Sequence, residues 1–101
     1  MEQIKISPQS GFRVLAGSGR SQVATMVIPA GGSTGGPNNK HSRSDQWLYV
    51  LSGKGEATVN GKQIEFSAGT LLLIEAGETH EIRNAGDEPL ETFNIYAPPA
   101  Y

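Results

Sequence analysis

The sequence predicts an all-β fold, and three observations lead to that prediction. The chain has 13 glycines and 6 prolines among its 101 residues, and they separate short runs rich in Val, Ile, Leu, Phe and Tyr. No window shows the sustained periodicity of an amphipathic helix. The turn signals recur often enough for roughly eight or nine strands, a pattern typical of a sandwich, a barrel or a double-sheet jelly roll.

The first strands are predicted before residue 30. Residues 4–6 form a candidate edge strand that ends before Pro8, and residues 12–16 and 21–28 form two more. A loop rich in Gly, Ser and Asn follows over residues 29–40. A loop of this length in a small domain is typical of a functional segment.

The second half of the chain has more regular turn signals. Asn60 and Gly61 predict a two-residue type I′ hairpin. The apolar run over residues 71–74 favours a strand that is buried on both faces. In all, strands are predicted over residues 46–52, 56–59, 62–66, 70–74, 80–84 and 90–96.

Length and composition limit the classes of function. We expect residues 1–101 to form one domain, because a second core would not fit in what remains. The net charge of -2 provides no basic stripe, which argues against nucleic-acid binding. The absence of cysteine excludes disulfides and thiolate metal sites. With no apolar run long enough to span a bilayer, the expectation is a cytoplasmic protein that does not bind membranes.

Strand alternation predicts which polar side chains share a face. Gln46 points to the same side of its strand as Leu48, and His80 to the same side as Ile82. If both faces point inward, Gln46, His80 and Asn84 meet His41 at one end of an apolar interior. A mostly apolar pocket with a few convergent polar groups is the usual form of a small-molecule site.

The residues around His41 follow a specific spacing. Five residues separate Gly35 from His41, one residue separates His41 from Arg43, and six residues separate Gln46 from Gly53. This pattern resembles the first sequence motif of the cupin family, in which a second histidine stands at the place of Arg43 and a glutamate at that of Gln46. The segment between Arg43 and Gln46 is shorter than in the family.

A second spacing resembles the second cupin motif more closely. Gly69 is followed by five residues, Glu75, one residue, Gly77, two residues, His80, three residues and Asn84. The family pattern differs only in having proline at the position of Glu75. The two motifs stand in the family's order and cover about half of the chain.

The resemblance implies a cupin-type jelly-roll β-barrel, often a homodimer, that holds a divalent metal. Carried over by position, the metal ligands are His41, His80 and Gln46, with Asp45 as an alternative source of oxygen. Two nitrogens and one oxygen suit Fe, Mn, Ni, Cu or Zn. Arg43 cannot coordinate a cation, because its guanidinium stays protonated.

Three further residues are candidates for contact with a bound small molecule. Arg43 could clasp an anionic ligand, although it could equally be a surface charge paired with Asp45. Asp45 is a second candidate, and Asn84 a third, with securing the turn as the alternative role for Asn84.

The leading hypothesis is a small cupin that binds a divalent metal and an anionic organic ligand. Dioxygenation, isomerisation and decarboxylation are reactions open to such a site. Since no nucleophile stands at a recognisable spacing from a base, no catalytic residue is assigned and enzyme activity is left open. The alternative is a non-catalytic binding or sensing module without an obligatory metal.

Overall fold

All regular elements of the computed structural model are β-strands, and the structure describes residues 1–35 and 41–101. In these residues no helix is both long and apolar enough to cross a membrane. The strands are β1 (Gly11–Gly17), β2 (Gln22–Ile28), β3 (Ser33–Gly35), β4 (Asp45–Ser52), β5 (Lys54–Val59), β6 (Lys62–Ser67), β7 (Leu71–Ile74), β8 (His80–Arg83) and β9 (Leu90–Ala97).

The strands form two antiparallel sheets. The larger sheet has the order β1-β2-β9-β4-β7, and the smaller has the order β3-β8-β5-β6. Consecutive strands alternate between the sheets from β7 to β9, which is the connectivity of a jelly roll. The predicted all-β jelly-roll fold is therefore confirmed.

The core lies between the sheets and is built by side-chain alternation. Along β4 Gln46, Leu48 and Val50 are buried, whereas Trp47, Tyr49 and Leu51 are exposed. Strand β9 alternates in the same way, with its even-numbered residues buried. The apolar cluster contains Met26, Ile28, Leu48, Val50, Ala57, Phe66, Ile74, Ile82 and Leu90.

Two predictions about the first part of the chain need correction. Residues 4–6 are not a strand: Ile4 and Ile6 are exposed, and the segment pairs with no strand of the described chain. Within the predicted loop over residues 29–40, Ser33–Gly35 is a strand that pairs with β8. The remainder of that loop, residues 36–40, lies outside the described residues.

The prediction that β7 is buried on both faces is also wrong. Leu71 is 56% exposed and Leu73 40% exposed, whereas Ile74 is buried. Strand β7 is an edge of the larger sheet, and no described segment covers its outer face. The continuous apolar run of β7 therefore has one face in the core and the other face in solvent.

The predicted hairpin between β5 and β6 is confirmed. Asn60 has φ 50° and Gly61 φ 79°, the two positive values that a type I′ turn requires. Val59 pairs directly with Lys62 across the turn.

Gly53, directly after β4, lies in close contact with the backbone of Pro89. It has φ +93°, and an added Cβ would lie 2.7 Å from the carbonyl oxygen of Pro89. Gly69 has φ +90° with nothing near its Cβ position. Gly69→Ala should lower the free energy of unfolding by about 1–2 kcal/mol, and Gly53→Ala by about 1–3 kcal/mol more. Urea unfolding of both variants measures the difference, and equal losses would show that the contact with Pro89 relaxes freely.

Candidate functional site

A small cavity lies at one end of the sandwich, between the two sheets. Its volume is about 70 Å³. Cross-strand register explains its composition: Tyr96 of β9 pairs with Gln22 of β2 on one side and with Gln46 of β4 on the other. The described residues that line the cavity are Phe12, Met26, Thr34, Gly35, His41, Gln46, His80, Ile82, Tyr96 and Tyr101.

The two histidines of the chain meet in this cavity. Their ring centroids are 5.1 Å apart, with an interplanar angle of 40°. His80 is the first residue of β8 and is buried, and its Nδ1 lies 3.3 Å from the carbonyl oxygen of Glu78. His41 precedes β4, and its carbonyl oxygen accepts a 2.8 Å hydrogen bond from the amide of Gly77. The loop before β8 thus fixes the position of His41.

His41 is held in its neutral form. Burial lowers the pKa of His41, and the nearby His80 lowers it further because two positive rings would repel each other. The hydroxyl of Tyr101 lies 3.3 Å from Nε2 of His41. A neutral imidazole with its proton on Nδ1 accepts a hydrogen bond in that position.

Gln46 has an unsatisfied oxygen beside the histidines. The residue is only 3% exposed, and its Nε2 donates to Oδ1 of Asn94 over 3.3 Å. Its Oε1 is buried and has no hydrogen-bond partner. A buried acceptor without a partner is costly, so this oxygen is available to a bound group.

Three aromatic side chains form the opposite wall, and sequence analysis did not identify them. Tyr96 packs edge-on against His41 at 5.2 Å, Tyr101 against His41 at 5.3 Å, and Phe12 against Tyr101 at 4.7 Å. Burial is the main cause that raises the pKa of Tyr96 and of Tyr101, so both remain neutral phenols. Tyr96 is the residue of β9 that pairs with Gln46 of β4. The sequence could have identified Tyr96 as a cavity residue only if the register of these two strands had been known.

The structure does not bring Arg43 or Asp45 into the cavity wall. Arg43 is exposed and is not among the residues that line the cavity. The Oδ1 of Asp45 accepts a 2.9 Å hydrogen bond from the amide of Ala76. Asp45 therefore ties β4 to the loop before β8, the same loop that holds the backbone of His41.

Asn84 lies after the far end of β8 from His80 and does not line the cavity. Its Nδ2 donates to the carbonyl oxygens of Ile28 (2.9 Å) and Glu88 (2.8 Å), and its Oδ1 accepts from the amide of Gly86 (2.9 Å). Both Nδ2 hydrogens and the Oδ1 of this buried side chain therefore bond to backbone, at the end of β2 and in the loop after β8. Of the two roles considered for Asn84, the geometry supports the structural one.

The donor set of the cavity is neutral. In the described part of the chain no group of three or more His, Cys, Asp or Glu side chains is arranged to hold a metal ion. The two imidazoles and the Oε1 of Gln46 nevertheless share one cavity. Since metal–imidazole bonds are about 2.0–2.1 Å long, a ring separation of 5.1 Å allows one ion to contact both histidines. These residues fit a divalent ion through two nitrogens and one amide oxygen.

Comparison with known proteins gives a consistent result. The family model described as "Cupin domain" matches residues 24–96. A solved structure from Bacillus halodurans has a TM-score of 0.87 and 32% identity, and the match covers 93% of this chain and 74% of that one. A second, from Thermotoga maritima, described as a predicted oxalate decarboxylase, has a TM-score of 0.73 and 31% identity over 80% of this chain and 69% of that one.

A curated relative gives a similar indication. The chain is 37% identical over 68 residues to an oxalate-binding protein of Thermotoga maritima, a match that covers 67% of this chain and 54% of the relative. The chain thus spans about half the length of this relative.

The role of Asn84 can be tested by removing its side chain. Asn84→Ala loses three hydrogen bonds to backbone at the end of β2 and in the loop after β8, so the free energy of unfolding should fall by about 2–4 kcal/mol. Gln63→Ala, which removes an exposed amide, should change it by less than about 0.5 kcal/mol. Urea unfolding measures both. A fully stable Asn84→Ala protein that has lost ligand binding would instead assign Asn84 to the ligand site.

Proposed function

Because this chain belongs to the cupin family, we propose that its cavity binds a divalent transition metal together with a small anionic organic ligand. One observation carries this proposal: His41 and His80, whose rings are 5.1 Å apart, line one cavity together with Gln46, whose buried Oε1 has no hydrogen-bond partner. A bound group that accepts electron pairs would satisfy this oxygen, which no described protein group does.

The surroundings of His80 and Gln46 favour this role. When Nδ1 of His80 donates to the carbonyl oxygen of Glu78, the ring lone pair lies at Nε2, the arrangement typical of metal-binding histidines. Asn94 accepts from Nε2 of Gln46 and donates to Oγ1 of Thr92 over 3.2 Å. These contacts hold the amide nitrogen of Gln46 on Asn94 and leave its Oε1 as the unpartnered end of the side chain. A divalent ion bound there supplies a Lewis acid and a positive charge.

An anionic ligand fits this site for an electrostatic reason. The described residues of the wall include no lysine or arginine, and burial beside His80 keeps His41 neutral. Positive charge for an anion would therefore come from the bound ion rather than from a side chain. The relatives described as oxalate-binding and as a predicted oxalate decarboxylase support a small carboxylate as the ligand.

A non-catalytic binding or sensing module is the second candidate function. The described cavity wall contains no aspartate or glutamate, so a general acid or base of the usual carboxylate type is not supplied there. In this alternative the two histidines and Gln46 would bind a ligand without an obligatory metal. Dioxygenation, isomerisation and decarboxylation remain candidate reactions only under the metal-dependent function.

We further propose that the chain forms a homodimer through the outer face of the larger sheet. Three side chains of β4 and two of β7 expose a continuous apolar surface there, and Phe93 and Ile95 of β9 extend it. Contiguous exposed apolar surface is typical of a protein interface. The exposed residues are Trp47, Tyr49, Leu51, Leu71 and Leu73.

Metal analysis tests the proposed function directly. Protein purified without chelator and then incubated with Fe, Mn, Ni, Cu or Zn should retain close to one equivalent by elemental analysis. His80→Ala should lose metal binding, because it removes one of two nitrogen ligands, while retaining its fold by circular dichroism. Wild-type protein that retains less than about one-tenth of an equivalent with every ion would contradict the metal site.

The substitution Gln46→Glu is the matched control for the metal experiment. It replaces the amide by a carboxylate of nearly equal size and adds a negative charge to the donor set. We expect metal affinity to rise by about tenfold or more, while the metal-free variant becomes less stable because the carboxylate is buried.

Calorimetric titration of the wild-type protein with oxalate separates the two functions. Oxalate binding that needs the metal supports the metal-dependent function, and equal binding without metal supports the non-catalytic module.

The dimer can be tested by introducing charge on the outer face. Leu73→Lys and Trp47→Glu should convert a dimer to a monomer in light scattering after size-exclusion chromatography, because charges would be buried between the subunits. Ile64→Lys, at an exposed apolar residue on the smaller sheet, should leave the dimer intact. A monomeric wild-type protein at micromolar concentration would contradict the proposal.

A further inference from the structure

We propose that residues 98–101 form a cap that closes the cavity over His41, and that the Tyr101 ring limits the size of the ligand that can enter. Gln22 is the residue that holds the cap in place. The closing of the cavity stands on the geometry of this chain, while its consequence for ligand choice rests on the proposed function.

Gln22 binds the segment as a strand neighbour would. Its Oε1 accepts hydrogen bonds from the amides of Ala100 (3.1 Å) and Tyr101 (2.9 Å), and its Nε2 donates to the carbonyl oxygen of Tyr101 (2.7 Å). Gln22 is itself only 8% exposed. The oxygen and the nitrogen of this buried amide both bond to the backbone of two consecutive residues. The path of that backbone is therefore fixed.

The hydrogen bonds of Gln22 place the ring of Tyr101 at the mouth of the cavity. The ring lies against those of His41 (5.3 Å), Tyr96 (5.2 Å) and Phe12 (4.7 Å), and its hydroxyl contacts Nε2 of His41. Edge-to-face contacts at these distances are favourable. The ring therefore covers the side of His41 that would face an incoming ligand.

The size of the closed cavity determines what can bind. At about 70 Å³ it has room for a few water-sized groups, so only a very small ligand fits beneath the ring. A longer ligand would have to displace the ring and break its contacts, so binding should weaken as the ligand grows.

The first experiment measures access to His41 without a metal or a ligand. Metal-free protein is treated with diethyl pyrocarbonate, and modification of His41 is followed by mass spectrometry of its peptide. Tyr101→Ala removes the ring, and Gln22→Ala releases the segment that carries it. Each should raise the modification rate of His41 by about tenfold, as expected when several hydrogen bonds and ring contacts are lost. Ile64→Ala, which removes an exposed apolar side chain from the smaller sheet, should leave the rate unchanged.

The second experiment measures ligand size in the metal-loaded protein. Oxalate, malonate, succinate and glutarate are titrated by calorimetry. Wild-type affinity should fall along this series, and Tyr101→Ala should improve glutarate binding by about tenfold relative to oxalate. Tyr101→Phe keeps the ring and should keep the wild-type preference.

The outcomes separate the cap from the proposed function. Equal His41 modification in wild type, Gln22→Ala and Tyr101→Ala would overturn the cap, and Tyr101→Ala alone decides this if Gln22→Ala does not fold. An unchanged ratio of glutarate to oxalate affinity in Tyr101→Ala would overturn the size limit. If the wild type binds none of the acids but the modification rates still differ, the cap is supported and the proposed function fails.

Discussion

The structure depends on one row of side chains across the larger sheet. Strands β2, β9 and β4 are in register at Gln22, Tyr96 and Gln46, and all three residues are buried. Because neighbouring residues on a strand face opposite sides, this register places a polar row at one end of a sandwich whose interior is otherwise mostly apolar. A shift of one residue would move all three side chains to the outer face. The cavity and its cover are therefore consequences of strand pairing.

Burying a polar side chain without a hydrogen-bond partner reduces the stability of the fold. Such a cost is easier to explain at a binding site than elsewhere in the core. Two buried side-chain oxygens in the described residues have no hydrogen-bond partner, Oε1 of Gln46 and Oγ1 of Thr25. Thr25 does not line the histidine cavity, whereas Gln46 does so together with two imidazoles. An oxygen without a hydrogen-bond partner, on a residue that lines a cavity with two imidazoles, is suited to binding a ligand. For Oγ1 of Thr25 the described residues provide no such context.

Sequence reasoning identified the fold and the polar end of the cavity, because both follow from local patterns. The turn at Asn60 and Gly61 depends on two adjacent residues, and the inward side of Gln46 follows from alternation along one strand. The cap could not be predicted, since Gln22 and Tyr101 are 79 residues apart and meet only through the pairing of β2 with β9. The error at β7 has a different cause: an apolar run has the same sequence whether its outer face is buried in a core or left exposed on a sheet.

The neutrality of the donor set has a consequence for the proposed function. Two imidazoles and an amide would leave the double positive charge of a bound ion uncompensated inside a cavity of low dielectric constant. A small anion that enters the same cavity would supply the missing negative charge, so each would bind more tightly in the presence of the other. Thermodynamic linkage requires the two gains in affinity to be equal. Under the proposed function, Gln46 in place of the family glutamate would therefore couple metal binding to anion binding, whereas a carboxylate at this position would reduce that dependence.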